Sequence, residues 1–272
     1  MRSALLGFLA WVLAASGAIA GEQVDLELVL AVDISGSIDE EEARLQRQGY
    51  VAALTDPDVL KAIRSGIEGK IAIAYFEWSG PETRRLLLDW TIIEDETSAK
   101  AAATRLASFP IRSAMSTSIS GAIEFAMPMY GKAYEGTRRV LDISGDGPNN
   151  AGTLVTVPRD AALARGITIN GLPIINDRPS RAGFPVFKDL DLYFQHCVIG
   201  GPGAFLVVAE GFDTFAEAIR RKMIIEIADL TLPHARWPMP EEVKRYAQDY
   251  APGCDIGERQ SREFWQRRFQ AP

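Results

Sequence analysis

Histidine and cysteine are scarce in this sequence, with two of each in 272 residues. His196 and His234 stand in unrelated segments without metal-ligand spacing, and no Ser-His-Asp or Cys-His arrangement is evident. That argues against the commonest zinc sites and against acyl-transfer chemistry. Runs of Lys or Arg are missing too. The balance is acidic, 29 basic against 36 acidic residues for a net charge of −7. Phosphates need a basic face to neutralise them, so nucleic acid is not an expected partner. Internal repeats and low-complexity segments are also lacking.

Long apolar runs are short of membrane length. The nearest approach lies in MRSALLGFLAWVLAASGAIA, where Arg2 precedes an apolar stretch from Ala4 to about Ala15 and the small-residue ending Ala18-Ile19-Ala20. A bilayer span takes ~20 apolar residues, so residues 1–20 read as a secretory signal peptide cleaved near Ala20. No membrane span is expected in the mature chain, which keeps 28 of the 29 basic residues and all 36 acidic ones. A Gram-negative periplasm is the preferred compartment, because neither a lipidation cysteine nor a cell-wall anchor is visible; secretion to the medium is the alternative. Cys197 and Cys254 both stay in the mature chain. In an oxidising compartment they are a candidate disulfide tying the C-terminal tail to the domain, with two unpaired thiols as the other reading.

What is present is an alternation of apolar runs and helix-like segments. Strands are expected at Val24–Val32, Gly69–Trp78, Thr83–Ile93, Arg138–Gly147, Ile167–Ile175 and Ala204–Gly211. Between them lie helical patterns, among them Asp39–Leu54, Thr97–Phe109 and Thr117–Tyr130, with a last one from Phe212. The turn Ser79-Gly80-Pro81-Glu82 is too short for a crossover, so its two strands must be antiparallel. The expected fold is therefore α/β: a doubly wound, mostly parallel sheet with one antiparallel edge strand, helices on both faces, in a three-layer sandwich over residues 21–230. The stretch 176–189 reads as a surface loop. Residues 231–272 form a Pro-rich extension, partly helical, with one helix expected after Pro240.

In such a sheet, ligands collect beyond the carboxyl ends of the strands, where strand order reverses. Three segments of this chain would meet there: Asp33-Ile34-Ser35-Gly36-Ser37, Ser116-Thr117-Ser118 and Gly145-Asp146-Gly147. Together they offer carboxylate and hydroxyl oxygens and no nitrogen or sulfur, which suits a hard dication such as Mg²⁺ or Mn²⁺. Ser35 and Ser37 alternate because an extended segment points every second side chain to one side. Asp142 and Ser144 share strand parity with Asp146 and are candidates for the rim or for support behind the metal ligands; an acid in an apolar strand must be paired or hydrogen-bonded, so a structural network is the favoured role for Asp142. Asn149 and Asn150 follow as candidates for the rim or for support behind the ligands.

The pattern Asp-x-Ser-x-Ser in LVLAVDISGSID, a Thr opening a helix in TSISGAI and the Asp-Gly of SGDG resembles the metal-ion-dependent adhesion site of von Willebrand factor type A domains. The likeness covers roughly residues 24 to 230 and is nearest to secreted bacterial proteins of that type with no assigned function. It implies metal ligation by Asp33, Ser35, Ser37, Thr117 and Asp146, with a partner's carboxylate completing the shell. One departure is Gly145, where such domains usually carry Thr or Ser. The function implied is an exported, metal-dependent module that captures an exposed carboxylate of a protein partner, not an enzyme. Two alternatives are an envelope structural or assembly protein with an idle site, and a phosphatase-like hydrolase using Asp33 as nucleophile. The latter wants a second Asp two residues on, where Ser35 stands.

Overall fold

The computed structural model describes residues 21–176, 186–228 and 252–270. The leader expected at 1–20, most of the loop expected at 176–189 and the helix expected after Pro240 lie outside the described residues. The first half runs β1 (Glu22–Val24), β2 (Glu27–Asp33), α1 (Glu40–Leu54), α2 (Pro57–Arg64), β3 (Ile71–Trp78), β4 (Arg84–Ile93), α3 (Glu96–Ala107) and α4 (Ile119–Ala126). The second runs β5 (Tyr134–Gly136), β6 (Arg139–Gly145), α5 (Thr156–Leu163), β7 (Ile167–Ile175), α6 (Leu190–Tyr193), β8 (Ala209–Glu210), α7 (Phe215–Ala228) and α8 (Ile256–Gln270).

Six strands form the main sheet in the order β4-β3-β2-β6-β7-β8, parallel throughout except for the β3–β4 hairpin. β2 and β3 are buried along their whole length because both faces of the sheet are covered. Their alternation divides two cores. Leu28, Leu30 and Val32 pack with α1, α2, α3 and α7, while Val29 and Ala31 pack with α4, α5 and α6. The chain builds β3 on one side of β2 and then crosses to place β6 on the other. Loops leaving β2 and β6 therefore diverge to opposite faces, and the gap between them is the crevice expected of a doubly wound sheet.

Local chemistry starts the helices. Asp39 caps α1, accepting from Glu41 and Glu42 N–H while Glu42 reaches back to the Asp39 N–H. Asp56 caps α2 with Pro57 as its first residue. This helix is an addition to the expected pattern, as is the small parallel pair β1–β5. The strand expected at 204–211 is corrected to two residues, Ala209–Glu210. Here the Asn170 side chain accepts the Phe205 N–H at 3.0 Å, and only scattered bridges reach β7. Cys197 and Cys254 are bonded to each other, which ties the start of α8 to the turn after α6. Among the described residues no helix is long and apolar enough to cross a membrane.

Candidate metal centre

Asp33 ends β2 with its side chain wholly buried. Its Oδ1 accepts the Ser35 N–H at 2.7 Å, while Oδ2, equally buried, has no well-formed hydrogen bond among the described residues. The turn carries on to Ser35 and Ser37, whose hydroxyls lie 3.2 Å apart, and Ser37 Oγ donates to Asp146 Oδ1 at 2.6 Å. A row of oxygens thus connects the end of β2 with the loop after β6. Gly145 eases the approach: a Cβ there would stand 3.0 Å from Asp33 Oδ2, so that the carboxylate would have to give by a few tenths of an ångström.

Thr117 arrives from the loop before α4, and that loop is held from two sides. Ser79, at the end of β3, hydrogen-bonds the carbonyls of Met115 at 2.6 Å and Ser116 at 2.9 Å, and its own carbonyl accepts the Ser118 N–H. Asn150 Oδ1 accepts the Thr117 N–H at 2.9 Å, and the Asn150 N–H returns to the Thr117 carbonyl at 2.9 Å. Between these clamps Ser116 is forced to φ +66, a left-handed conformation that costs a non-glycine residue of order 1 kcal/mol. Thr117, Ser37 and Asp146 line one cleft. Asp33 and Ser35 are buried and do not line it; Ser35 meets Ser37 at 3.2 Å.

The remaining expected residues divide. Asn150 borders the cleft, but its Oδ1 and backbone are committed to Thr117. Asn149 is buried and joins elements, accepting from Ser120 N–H and donating to Thr153 O and Glu258. Asp142 and Ser144 do not line the cleft: Asp142 pairs with Lys222 at 2.7 Å, and Ser144 Oγ accepts from Tyr50 at 3.2 Å. Three supports were outside the expected set. Asn176, directly after β7, hydrogen-bonds Asp146 and lines the cleft; its place at a strand end was the available signal. Gln46 Nε2 donates to the Asp33 carbonyl at 3.3 Å. The third is α8, whose Gly257, Gln260, Ser261 and Trp265 form one wall.

Burial pushes the Asp33 carboxyl well above the usual range, and the charge of Asp146 adds to this; hydrogen bonds from Ser35 and, less strongly, from the Asp146 backbone N–H oppose it. Asp146 is raised to about 6, chiefly by burial and further by Glu42, with the Ser37 hydroxyl working the other way. The two acids are thus buried close enough for the charge of Asp146 to act on Asp33. Other buried acids differ: Glu27 has Arg139 at 3.2 Å, and Glu77 has Arg47 and Arg85. Among the described residues neither Asp33 nor Asp146 has an ion-pair partner. No group of three His, Cys, Asp or Glu side chains gathers among the described residues either. The donor set of two carboxylates and three hydroxyls, with one buried carboxylate oxygen lacking a well-formed hydrogen bond among the described residues, fits a small hard cation that keeps solvent or partner oxygens.

The sequence family described as "Protein of unknown function (DUF1194)" matches residues 23–231. Among curated proteins none matches the sequence significantly. Solved structures do resemble the chain. The conserved hypothetical protein BatB from Bacteroides thetaiotaomicron superposes with a TM-score of 0.51 at 21% identity, over 75% of this chain and 99% of that one. A von Willebrand factor type A protein from Catenulispora acidiphila gives 0.50 at 13% identity, over 75% of this chain and 43% of that one. Proximal thread matrix protein 1 from the mussel byssus, solved "with zinc occupied MIDAS motif", gives 0.52 at 13% identity, over 76% and 46%. At these identities the likeness is one of fold, and the fold is that of von Willebrand factor type A domains.

Proposed function

Because this chain belongs to the family of unknown function whose profile spans residues 23–231, we propose a function from the site itself: a binding module that holds a divalent cation at the sheet edge and, through it, an acidic group of a protein partner. The supporting observation is the pair Asp33 and Asp146, without an ion-pair partner among the described residues and linked through Ser35 and Ser37, with Asp146 and Thr117 lining one cleft. Asp33, Ser35, Ser37, Thr117 and Asp146 would hold Mg²⁺ or Mn²⁺; when bound, the cation supplies a positive centre with a position open to an outside carboxylate. The chain's own residues do the rest. Ser79 and Asn150 fix the Thr117 loop, Gly145 eases the approach of the Asp33 carboxylate, and Asn176 orients Asp146.

The role proposed is binding without catalysis. Its setting is the periplasm or the exterior, after cleavage near Ala20, in keeping with the Cys197–Cys254 bond in an oxidising compartment. Isothermal titration of the chelator-treated protein with MgCl₂ and MnCl₂ tests the metal step. Saturable binding at one site is expected, lost in Asp33→Ala. Absence of binding by the wild type would sink the reading and leave a structural or assembly role with an idle site.

A further inference from the structure

α8 stands beyond residues 23–231, the span of the family match, and yet it forms a wall of the cleft. Its docking is specific. Gly257 lies against the 148–150 loop so closely that a Cβ would fall 2.1 Å from the Asn149 carbonyl oxygen. Glu258 accepts from Asn149 Nδ2 at 2.7 Å, and the Cys197–Cys254 bond anchors the chain just upstream. Gly257, Gln260, Ser261 and Trp265 fall on one helical face, and Phe264 and Arg268 continue it by their spacing. Trp265 stacks on Phe269 and meets Phe264 edge-on, which makes this end of the helix an aromatic block. Across the cleft stand Ile174, Phe187 and Met115. Residues 256–270 also hold four Arg against two Glu, a local excess of positive charge in a chain of net −7.

We infer that α8 supplies a second subsite beside the metal centre, and that the partner segment is a peptide carrying an Asp or Glu next to a large apolar side chain. This rests on the proposed metal reading for the acid and on α8 for the rest. The acid takes the metal centre, the apolar side chain packs against Trp265 between the two apolar walls, and the Arg-rich helix favours an acidic segment over a basic one. Aromatic anchors in a sheltered cleft are the usual carriers of binding energy at such an interface.

Selection of a displayed library of random peptides on the full disulfide-bonded protein with Mg²⁺, eluted with chelator, tests this. The expected pool has Asp or Glu beside Phe, Trp, Leu or Met. With Trp265→Ala the acid should persist while the apolar preference disappears, and a selected peptide should bind roughly tenfold more weakly. Gly257→Ala, which pushes α8 off the loop, should act likewise without altering Trp265. Chelator-released peptides with an acid but no apolar neighbour, or an unchanged pool from Trp265→Ala, would overturn the subsite and leave the metal reading standing. Acid–apolar peptides that chelator does not release would do the reverse. No enrichment would overturn both.

Discussion

Strand β6 contributes to two acidic clusters that are treated in opposite ways. At Asp142, in the middle of the strand, the fully buried Lys222 of α7 pairs with Asp142 and Glu226, Asn170 donates to Glu226 at 3.0 Å, and the Lys222 ammonium lies 5.1 Å from the centre of the Phe205 ring. Just past the strand's end, Asp146 and its neighbour Asp33 have serine hydroxyls for company and, among the described residues, no basic side chain paired with them. Burying unpaired charge is expensive, and this chain shows with Lys222 that it can supply an ammonium where an acid serves the fold. Leaving Asp33 and Asp146 without one costs stability that a structural cluster would not waste. Such a cost is characteristic of a site kept for a ligand.

Removing the compensation in the first cluster should have the largest effect. Lys222→Met leaves two buried acids facing each other and should lower the unfolding free energy by about 3–5 kcal/mol, read from urea denaturation. A change within about 0.5 kcal/mol, the scatter typical of surface substitutions, would mean that the cluster is not held by its lysine.

Smaller effects follow from pH. Burial, followed by the charge of Glu226, raises the Asp142 carboxyl from its ordinary 3.8 to about 7, against the opposing pull of Lys222. Tyr50 also faces Asp142, and its own hydroxyl is pushed up by burial. A carboxyl raised on folding binds its proton more tightly in the native state, so its stabilising contribution is full below about pH 4 and is lost as pH climbs through about 7. Asp142→Asn leaves Lys222 with one acid and should flatten the fall in stability between pH 4 and 8. The difference between wild type and variant isolates Asp142 from Asp146, which titrates in the same window. Identical pH profiles would contradict the assignment.

Much of the centre was legible because its parts obey local rules. The alternation of Asp33, Ser35 and Ser37 and the Asp-Gly after β6 follow from strand parity, and the alternating order of strands brings their ends together. The helix start at α4 likewise located Thr117. Asp142 stood out as an acid in an apolar strand, but its partner is 80 residues away on α7, and nothing near it in sequence announces Lys222. The same limit hid α8. Its docking depends on Gly257 meeting the Asn149 backbone and on a disulfide to Cys197, contacts between distant segments that periodicity does not encode. At 204–211 the apolar composition promised a full strand, and the Asn170 side chain took one of the bonds a ladder would have used.

The central proposal, that Asp33 and Asp146, without an ion-pair partner among the described residues, serve a divalent cation, is tested most directly by thermal unfolding of chelator-treated wild type and Asp33→Asn, each with and without Mg²⁺. Stripped of metal, Asp33→Asn should be the more stable by on the order of 1 kcal/mol, since it removes a buried charge beside Asp146. Added Mg²⁺ should then stabilise only the wild type, by about 2.7 kcal/mol at a hundredfold excess over Kd. Equal responses of the two proteins to Mg²⁺, or a metal-free variant less stable than the wild type, would contradict it.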